Sequence, residues 1–374
     1  MHKEVSSDSI SESSAQNAPE PSCKTSCLDD VAGSKASAAF SRPAQAPLDS
    51  SLFTGTTWRL NAGEASALIA ARGAVVLDWN CAGVPVIDGY SDQADMESGA
   101  GCRCAVMAPW SNRIQNARYT WMGQEYDLGP APDGSREANH GLMLNTDFER
   151  IDDGQDPASL TLHTVTGGVE GYPWPVDVRV TYRIHEKAPE QGYQGYRLEL
   201  EINARNLADV TVPVGLGWHP YFHANAITDQ GLDSLYMELP AKTEVVSDDM
   251  LIPLEGSQAF KEADYAHSQC GRIIVELKGW EVDTSWTDLW TDKDGLIRSY
   301  VVGSQGHLVL TQDTPVAHSV VHAFTGDTLP TRKRQSLALE PCWAMTNAFK
   351  RIPQVMELEP GQTRSLHTSV DYVS

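Results

Sequence analysis

No run in the chain approaches the roughly 18 consecutive apolar residues of a membrane-spanning helix, and Met1–Ser14 lacks the apolar segment and small-residue cleavage pattern of a secretory signal. Basic residues are scarce: 28 Lys and Arg against 50 Asp and Glu leave a net charge of −22 over 374 residues. Nucleic acids and anionic membrane surfaces both demand clustered cations, so neither is an expected partner, and a small neutral or cationic ligand fits better. The seven cysteines (Cys23, Cys27, Cys81, Cys102, Cys104, Cys270 and Cys342) are odd in number and scattered without zinc-site spacing, in a chain too long to need disulfide staples. Reduced thiols and a cytoplasmic location are the expectation, with Cys102-x-Cys104 sharing one face if that segment is a strand. GxGxxG after a strand, GxxxxGK[ST], HExxH and GxSxG are all missing. Nucleotide-phosphate cradles, zincin proteolysis and the α/β-hydrolase nucleophile therefore have no support, and no cofactor or metal is expected.

What is present is a folded chain, 41% hydrophobic and 21% charged. Residues 1–50 are the exception: Ser, Ala, Pro and small acidic residues dominate, too little apolar surface to offset the entropy of ordering. They read as a disordered tail carrying only 3 of the 22 excess negative charges, ahead of one body over residues 51–374. Along Tyr196–Arg205 apolar and charged residues alternate with a period of two, the pattern of a half-buried antiparallel strand. Similar runs at Val178–His185, Val210–Leu216, Arg272–Leu277, His307–Gln312 and Ser365–Tyr372 are separated by Gly, Pro, Asp and Asn. The fold class expected is all-β, a large antiparallel sandwich. Glu64–Gly73 is ambiguous between helix and strand by composition. His318 and His322 have the i, i+4 spacing of a helical metal site, but their β-branched surroundings indicate a strand, in which they lie roughly 13 Å apart. Both read as structural histidines.

Chemistry-bearing residues gather in four glycine-, proline- and aromatic-rich settings: Pro109–Ile114 followed by Asn139-His140-Gly141; Val214–Phe222, containing Gly217-Trp218-His219-Pro220; Trp280–Leu289, containing Asp283 and Asp288; and Leu337–Trp343, containing Glu340. Trp110, Trp218, Tyr221 and Trp343 are flat apolar faces of the kind that stack on a sugar ring, and Arg113, His140 and an aspartate suit its hydroxyls. A lone histidine beside Trp and Pro is more often a hydrogen-bonded core residue than a catalyst. Glu340, in an apolar run, needs a partner or a role; an ion pair with Arg113 is the bland alternative.

Taken in order, SNRIQNARYTWMGQEYDL, NHGL, GWHPYF, LALEPCWAMTNAF and LEPGQTRSLHTSV resemble the motifs of the aldose 1-epimerase, or galactose mutarotase, family from about Trp58 to Tyr372. The resemblance implies a galactose mutarotase-like supersandwich that interconverts the α and β anomers of a neutral hexose. It implies His219 as general acid and Glu340 as general base. It places Arg113 with its neighbour Asn112, His140 and Asp283 on sugar-binding positions, with Asp288 the fallback for Asp283. Anomerisation needs one base for the anomeric hydroxyl and one acid for the ring oxygen, and no cofactor. Since free glutamate titrates near 4.3 and free histidine near 6.5, both are expected to be shifted upward. Two alternatives stand beside this reading: a hexose-6-phosphate 1-epimerase, disfavoured by the absence of Arg or Lys between His140 and Arg150, and a noncatalytic carbohydrate-binding protein on the same fold.

Overall fold

The computed structural model describes residues 44–130, 138–190 and 193–374. Most of the expected tail, residues 1–43, lies outside the described residues. Contacts with the body begin ahead of residue 51: the Gln45 amide donates to the Gly83 carbonyl at 2.8 Å and the Leu48 amide to Asp78 Oδ2 at 3.0 Å.

Two large antiparallel sheets form the body. One has twelve strands and runs, by hydrogen-bonded neighbours, Thr57–Ala62, Ala65–Ala70, Val76–Cys81, Val84–Asp88, Tyr221–His223, Ser336–Cys342, Val320–Phe324, Asp283–Thr287, Thr243–Val245 and Phe260–Glu262, with Gly217–Trp218 and Val106–Met107 attached beside Ser336–Cys342. The other has ten strands and is centred on Val176–Glu190, Tyr193–Asn206, Thr363–Val373 and Gly306–Asp313. The alternation read along Tyr196–Arg205 is realised: Tyr196, Leu198, Leu200, Ile202 and Ala204 are buried, while Arg197 faces outward and binds Asp371 at 2.6 Å. Of Val210–Leu216 only Val212–Pro213 is a strand, paired with Glu357–Leu358. Glu64–Gly73 resolves as the strand Ala65–Ala70, buried at every position because it lies between two neighbours and is covered on both faces. Such surroundings override helix-forming composition.

One apolar core joins the two sheets, taking Leu68, Trp79, Leu337 and Leu339 from the first and Val178, Leu198, Leu310 and Val370 from the second. Trp110 and Trp218 belong to that core, so neither is a sugar platform. Cys102 and Cys104 do not lie on a strand: they sit in a tight turn with φ of 47° and 55°. Cys270 is disulfide-bonded, where reduced thiols were expected throughout.

The strand Ser336–Cys342 is buried along its whole length because both faces are covered. Leu337 and Leu339 enter the main core. Ala338 joins a small cluster with Tyr221 and Leu329, and Cys342 joins another with Met107, Val320 and Met345. With side chains alternating along a strand, Glu340 falls between these two clusters, on the face turned away from the main core.

Candidate active site

Pairing between strands assembles the site around Glu340. His322 is its direct register partner, and Ser285 is the register partner of His322, so three adjacent strands put these residues on one face. Asp283 shares that face, two residues before Ser285. His219 comes from the turn after Gly217–Trp218, held by its own amide donating to the Ala105 carbonyl at 3.0 Å and its carbonyl accepting from the Cys104 amide at 2.9 Å. In Gly217-Trp218-His219-Pro220-Tyr221-Phe222 the alternation sends Trp218 and Phe222 into the main core and leaves His219 and Tyr221 on the site face.

His219 Nε2 lies 3.2 Å from Glu340 Oε1, with 5% of His219 and 1% of Glu340 exposed. Glu340 Oε2 and His219 Nδ1 are both buried without a hydrogen-bond partner. No Arg113–Glu340 ion pair forms among the described residues, so the bland reading of Glu340 does not hold. His219 stacks on Tyr221 with ring centres 5.0 Å apart and meets the His140 ring edge-on at 5.0 Å. His140 Nδ1 in turn lies 2.7 Å from the Met107 sulfur. Asn112 Oδ1 accepts from the Arg113 amide at 2.9 Å and from Arg113 Nη1 at 3.2 Å, and the Asn112 carbonyl accepts from the His140 amide at 3.1 Å. Asn112 and His140 are thereby tied together, and the Arg113 charge acts on Glu340, Asp283 and His140. Asp283 Oδ1 is 3.0 Å from His322 Nε2. Asp288 is apart from this group, exposed and bonded to the Thr243 hydroxyl at 2.5 Å.

Burial raises Glu340 to about 7, against the opposing pull of the His322 and Arg113 charges. His219 moves the other way, down to about 3, through burial and the neighbouring His322 charge. The expectation that both rise is therefore half overturned: the carboxylates near His219 do not compensate its loss of water. His140 is held neutral by burial and by His219, Arg113 and His322.

Two residues of the cluster, His322 and Ser285, were not among the expected site residues. His322 does lie on a strand, Val320–Phe324, but it faces Glu340 and is not a spacer in the core. His318 sits in the preceding turn, its ring 4.2 Å from that of Trp343. Among the described residues no group of three or more His, Cys, Asp or Glu is arranged to hold a metal ion.

Left-handed backbone concentrates at Asn112, His140 and Gly141, with φ of 55°, 57° and 77°. At Gly141 a Cβ would stand 2.1 Å from the Ala108 carbonyl oxygen. Gly141→Ala is therefore expected to cost more than about 1 kcal/mol, beyond the usual range for glycine at compatible sites. Chemical denaturation checks this; stability within about 0.5 kcal/mol of the parent, the scatter of neutral surface changes, contradicts it.

Comparison with known proteins agrees with the geometry. The family model described as aldose 1-epimerase matches residues 56–371. The uncharacterized protein YihR of Escherichia coli K12 is 26% identical over 317 residues, covering 85% of this chain and 93% of that one. Galactose mutarotase of Mus musculus is 31% identical over 169 residues, 41% of this chain and 43% of that one. Among solved structures, the GalM/aldose epimerase homologue of C. elegans superimposes with a TM-score of 0.69 at 16% identity, covering 86% of this chain and 99% of that one. Galactose 1-epimerase of Lactobacillus acidophilus gives 0.60 at 14% identity, with 83% and 91% covered. No helix among the described residues is long and apolar enough to cross a membrane. With the family model spanning nearly the whole described body, the chain belongs to the aldose 1-epimerase family.

Proposed function

We propose that the protein interconverts the α and β anomers of a neutral aldohexose such as galactose or glucose, with His219 and Glu340 as the proton-transferring pair. The observation that carries this reading is the buried 3.2 Å contact between them, in which one carboxylate oxygen and one ring nitrogen have no partner. A buried carboxylate oxygen without a hydrogen bond is costly, and a sugar hydroxyl arriving at Glu340 Oε2 relieves that cost.

Glu340 and His219 titrate as a coupled pair. Between about 3 and about 7 the pair carries one mobile proton, resting on Glu340 in the free protein. Its tautomer, carboxylate and imidazolium, is the form that reacts. Glu340 takes the proton from the anomeric hydroxyl as His219 gives one to the ring oxygen, and the C1–O5 bond breaks to leave the open-chain aldehyde. Rotation about C1–C2 and the reverse transfers close the ring on the other face of C1, so the enzyme ends as it began. His140, Arg113, Asn112 and the second oxygen of Asp283 are placed to bind the remaining hydroxyls. The mouse relative named galactose mutarotase supports an unmodified hexose. So does the state of Arg103, which acts on His219 but is committed to Asp88 at 2.7 Å and is not free to hold a phosphate.

The assay is polarimetry or NMR of freshly dissolved α-anomers. Acceleration with glucose or galactose is expected, with kcat/KM falling as pH rises through about 7, where the pair loses its mobile proton. His219→Asn should remove about 10²–10⁴-fold of the rate. Acceleration confined to hexose 6-phosphates would make this a phosphosugar epimerase. No acceleration with any aldose would leave a carbohydrate-binding protein.

A further inference from the structure

His322 occupies the middle of the three strands and faces a group on each side. Its Nδ1 is 2.7 Å from Ser285 Oγ, and its Nε2 is 3.0 Å from Asp283 Oδ1 and 3.9 Å from Glu340 Oε1. The three buried histidines of the site differ in this respect. His219 has one ring nitrogen unpartnered, and His140 rests its Nδ1 against a thioether. His322 alone has both nitrogens engaged by oxygen and two carboxylates within 4 Å.

We propose that His322 is the resident cation of the site, an imidazolium that positions Glu340 and Asp283 and holds down the proton affinity of the Glu340–His219 pair. Nδ1–H donates to Ser285 and Nε2–H to Asp283, so the charge is fixed by hydrogen bonds at both ends of the ring. The other groups around it are accounted for. Burial and the Arg113 charge oppose protonation of His322, while Glu340 and Asp283 favour it and prevail. His219 and His140 are neutral neighbours, both pushed down by burial. Cys102, Cys342 and Tyr221, which also act on Glu340 or are acted on by it, are held protonated by burial. The positive charge opposite Glu340 makes its carboxylate the accessible form at neutral pH, which the proposed chemistry requires. It also disfavours a second proton on the Glu340–His219 pair, which therefore carries a single mobile one.

The kinetic arm of this inference rests on the epimerase reading; the spectroscopic arm does not. In the full-length protein, imidazole ¹⁵N signals at pH 7 should show His322 with both nitrogens protonated and His219 with one. Carboxyl ¹³C titration should show the Glu340 midpoint rising by at least one pH unit in His322→Gln, which keeps a donor but removes the charge. The kcat/KM profile of that variant should move bodily to higher pH by a similar amount. Ser285→Ala, which leaves the ring in place, should move it in the same direction by less; a merely structural residue has no reason to shift both limbs together. Thermal unfolding of each variant verifies the fold. A neutral His322 at pH 7, or a Glu340 midpoint unmoved in a folded His322→Gln, overturns the inference. A wild-type protein that accelerates no anomerisation overturns the epimerase reading and leaves the two NMR measurements to judge His322.

Discussion

Glu340→Gln should lower kcat/KM by about 10²–10⁴-fold, the usual worth of a positioned acid–base group, and at the same time make the protein more stable. The two effects have one cause. Glu340 is buried with one oxygen unpartnered, and burial carries its titration from 4.5 to about 7. A carboxyl raised in the folded state binds its proton more tightly there than in the unfolded chain, so the stability it contributes falls as pH rises from about 4.5 to about 7. Over that window the loss is of order 3 kcal/mol, net of the His322 and Arg113 charges that oppose it. Gln has nearly the same shape and no charge to desolvate. Removing one member of a buried ion pair ordinarily costs stability by stranding its partner, but here His219 is neutral and His322 keeps Asp283 at 3.0 Å. The relief therefore wins: Glu340→Gln should melt at a higher temperature than wild type at pH 8 and at nearly the same temperature at pH 5, where Glu340 is protonated. Calorimetry at the two pH values checks this. An equal shift at both, or a loss at pH 8, would mean that the carboxylate is stabilised by the fold and is not held at the fold's expense.

Much of this site follows from local patterning. Leu337-Ala338-Leu339-Glu340 already puts Glu340 and the leucines on opposite faces of a strand, and Gly217-Trp218-His219 does the same for His219 and Trp218. What local patterning does not contain is register. His322 becomes a site residue only because its strand pairs with Ser336–Cys342 with His322 facing Glu340; a one-residue slip would turn it into the core. For the aromatics the local signal is mixed: alternation already sets Trp218 opposite His219, while nothing local separates Trp110 from Tyr221. Trp110, Trp218, Tyr221 and Trp343 all read as surfaces for a sugar, yet the first two face the main core, Trp343 packs against His318 and Arg364, and Tyr221 reaches the site, stacked on His219. The direction of the His219 shift was illegible for a related reason. It depends on the balance between burial, Asp283 and the His322 charge, contributed by strands more than 60 residues downstream in the sequence. Glu64–Gly73 failed to declare itself because its strand is buried on both faces and has no alternation to read.

The largest expected effect on stability lies behind the site, at Asp88. This carboxylate, 2% exposed, ends its strand under two guanidinium groups, a histidine and a hydroxyl. Arg103 Nη1 binds Oδ2 at 2.7 Å, Arg332 Nη1 binds Oδ1 at 2.5 Å, His223 Nε2 lies 3.7 Å away, and the Ser336 hydroxyl donates to Oδ2. Burial alone would raise its titration, but His223, Arg103 and Arg332 outweigh it, and Asp88 stays below its ordinary value and ionised. Arg103 is equally buried, and its guanidinium lies 4.7 Å over the Tyr221 ring on which His219 stacks. Asp88→Ala strands Arg103 with only the Asp88 backbone carbonyl at 3.2 Å, whereas Arg332 keeps Asp95 at 2.5 Å. An uncompensated buried cation costs about 3–5 kcal/mol, which for a domain of this size is a fall in Tm of roughly 5–10 °C. Replacing both ends of the pair, Asp88→Leu with Arg103→Met, removes the stranded charge and should recover a large part of that loss, since apolar groups of similar volume commonly replace buried ion pairs without cost. Denaturant unfolding of the single and double variants reads the difference directly. If the double variant is no more stable than Asp88→Ala, the carboxylate acts through its packing beside Ser336, and charge compensation for Arg103 is not what holds that end of the sheet together.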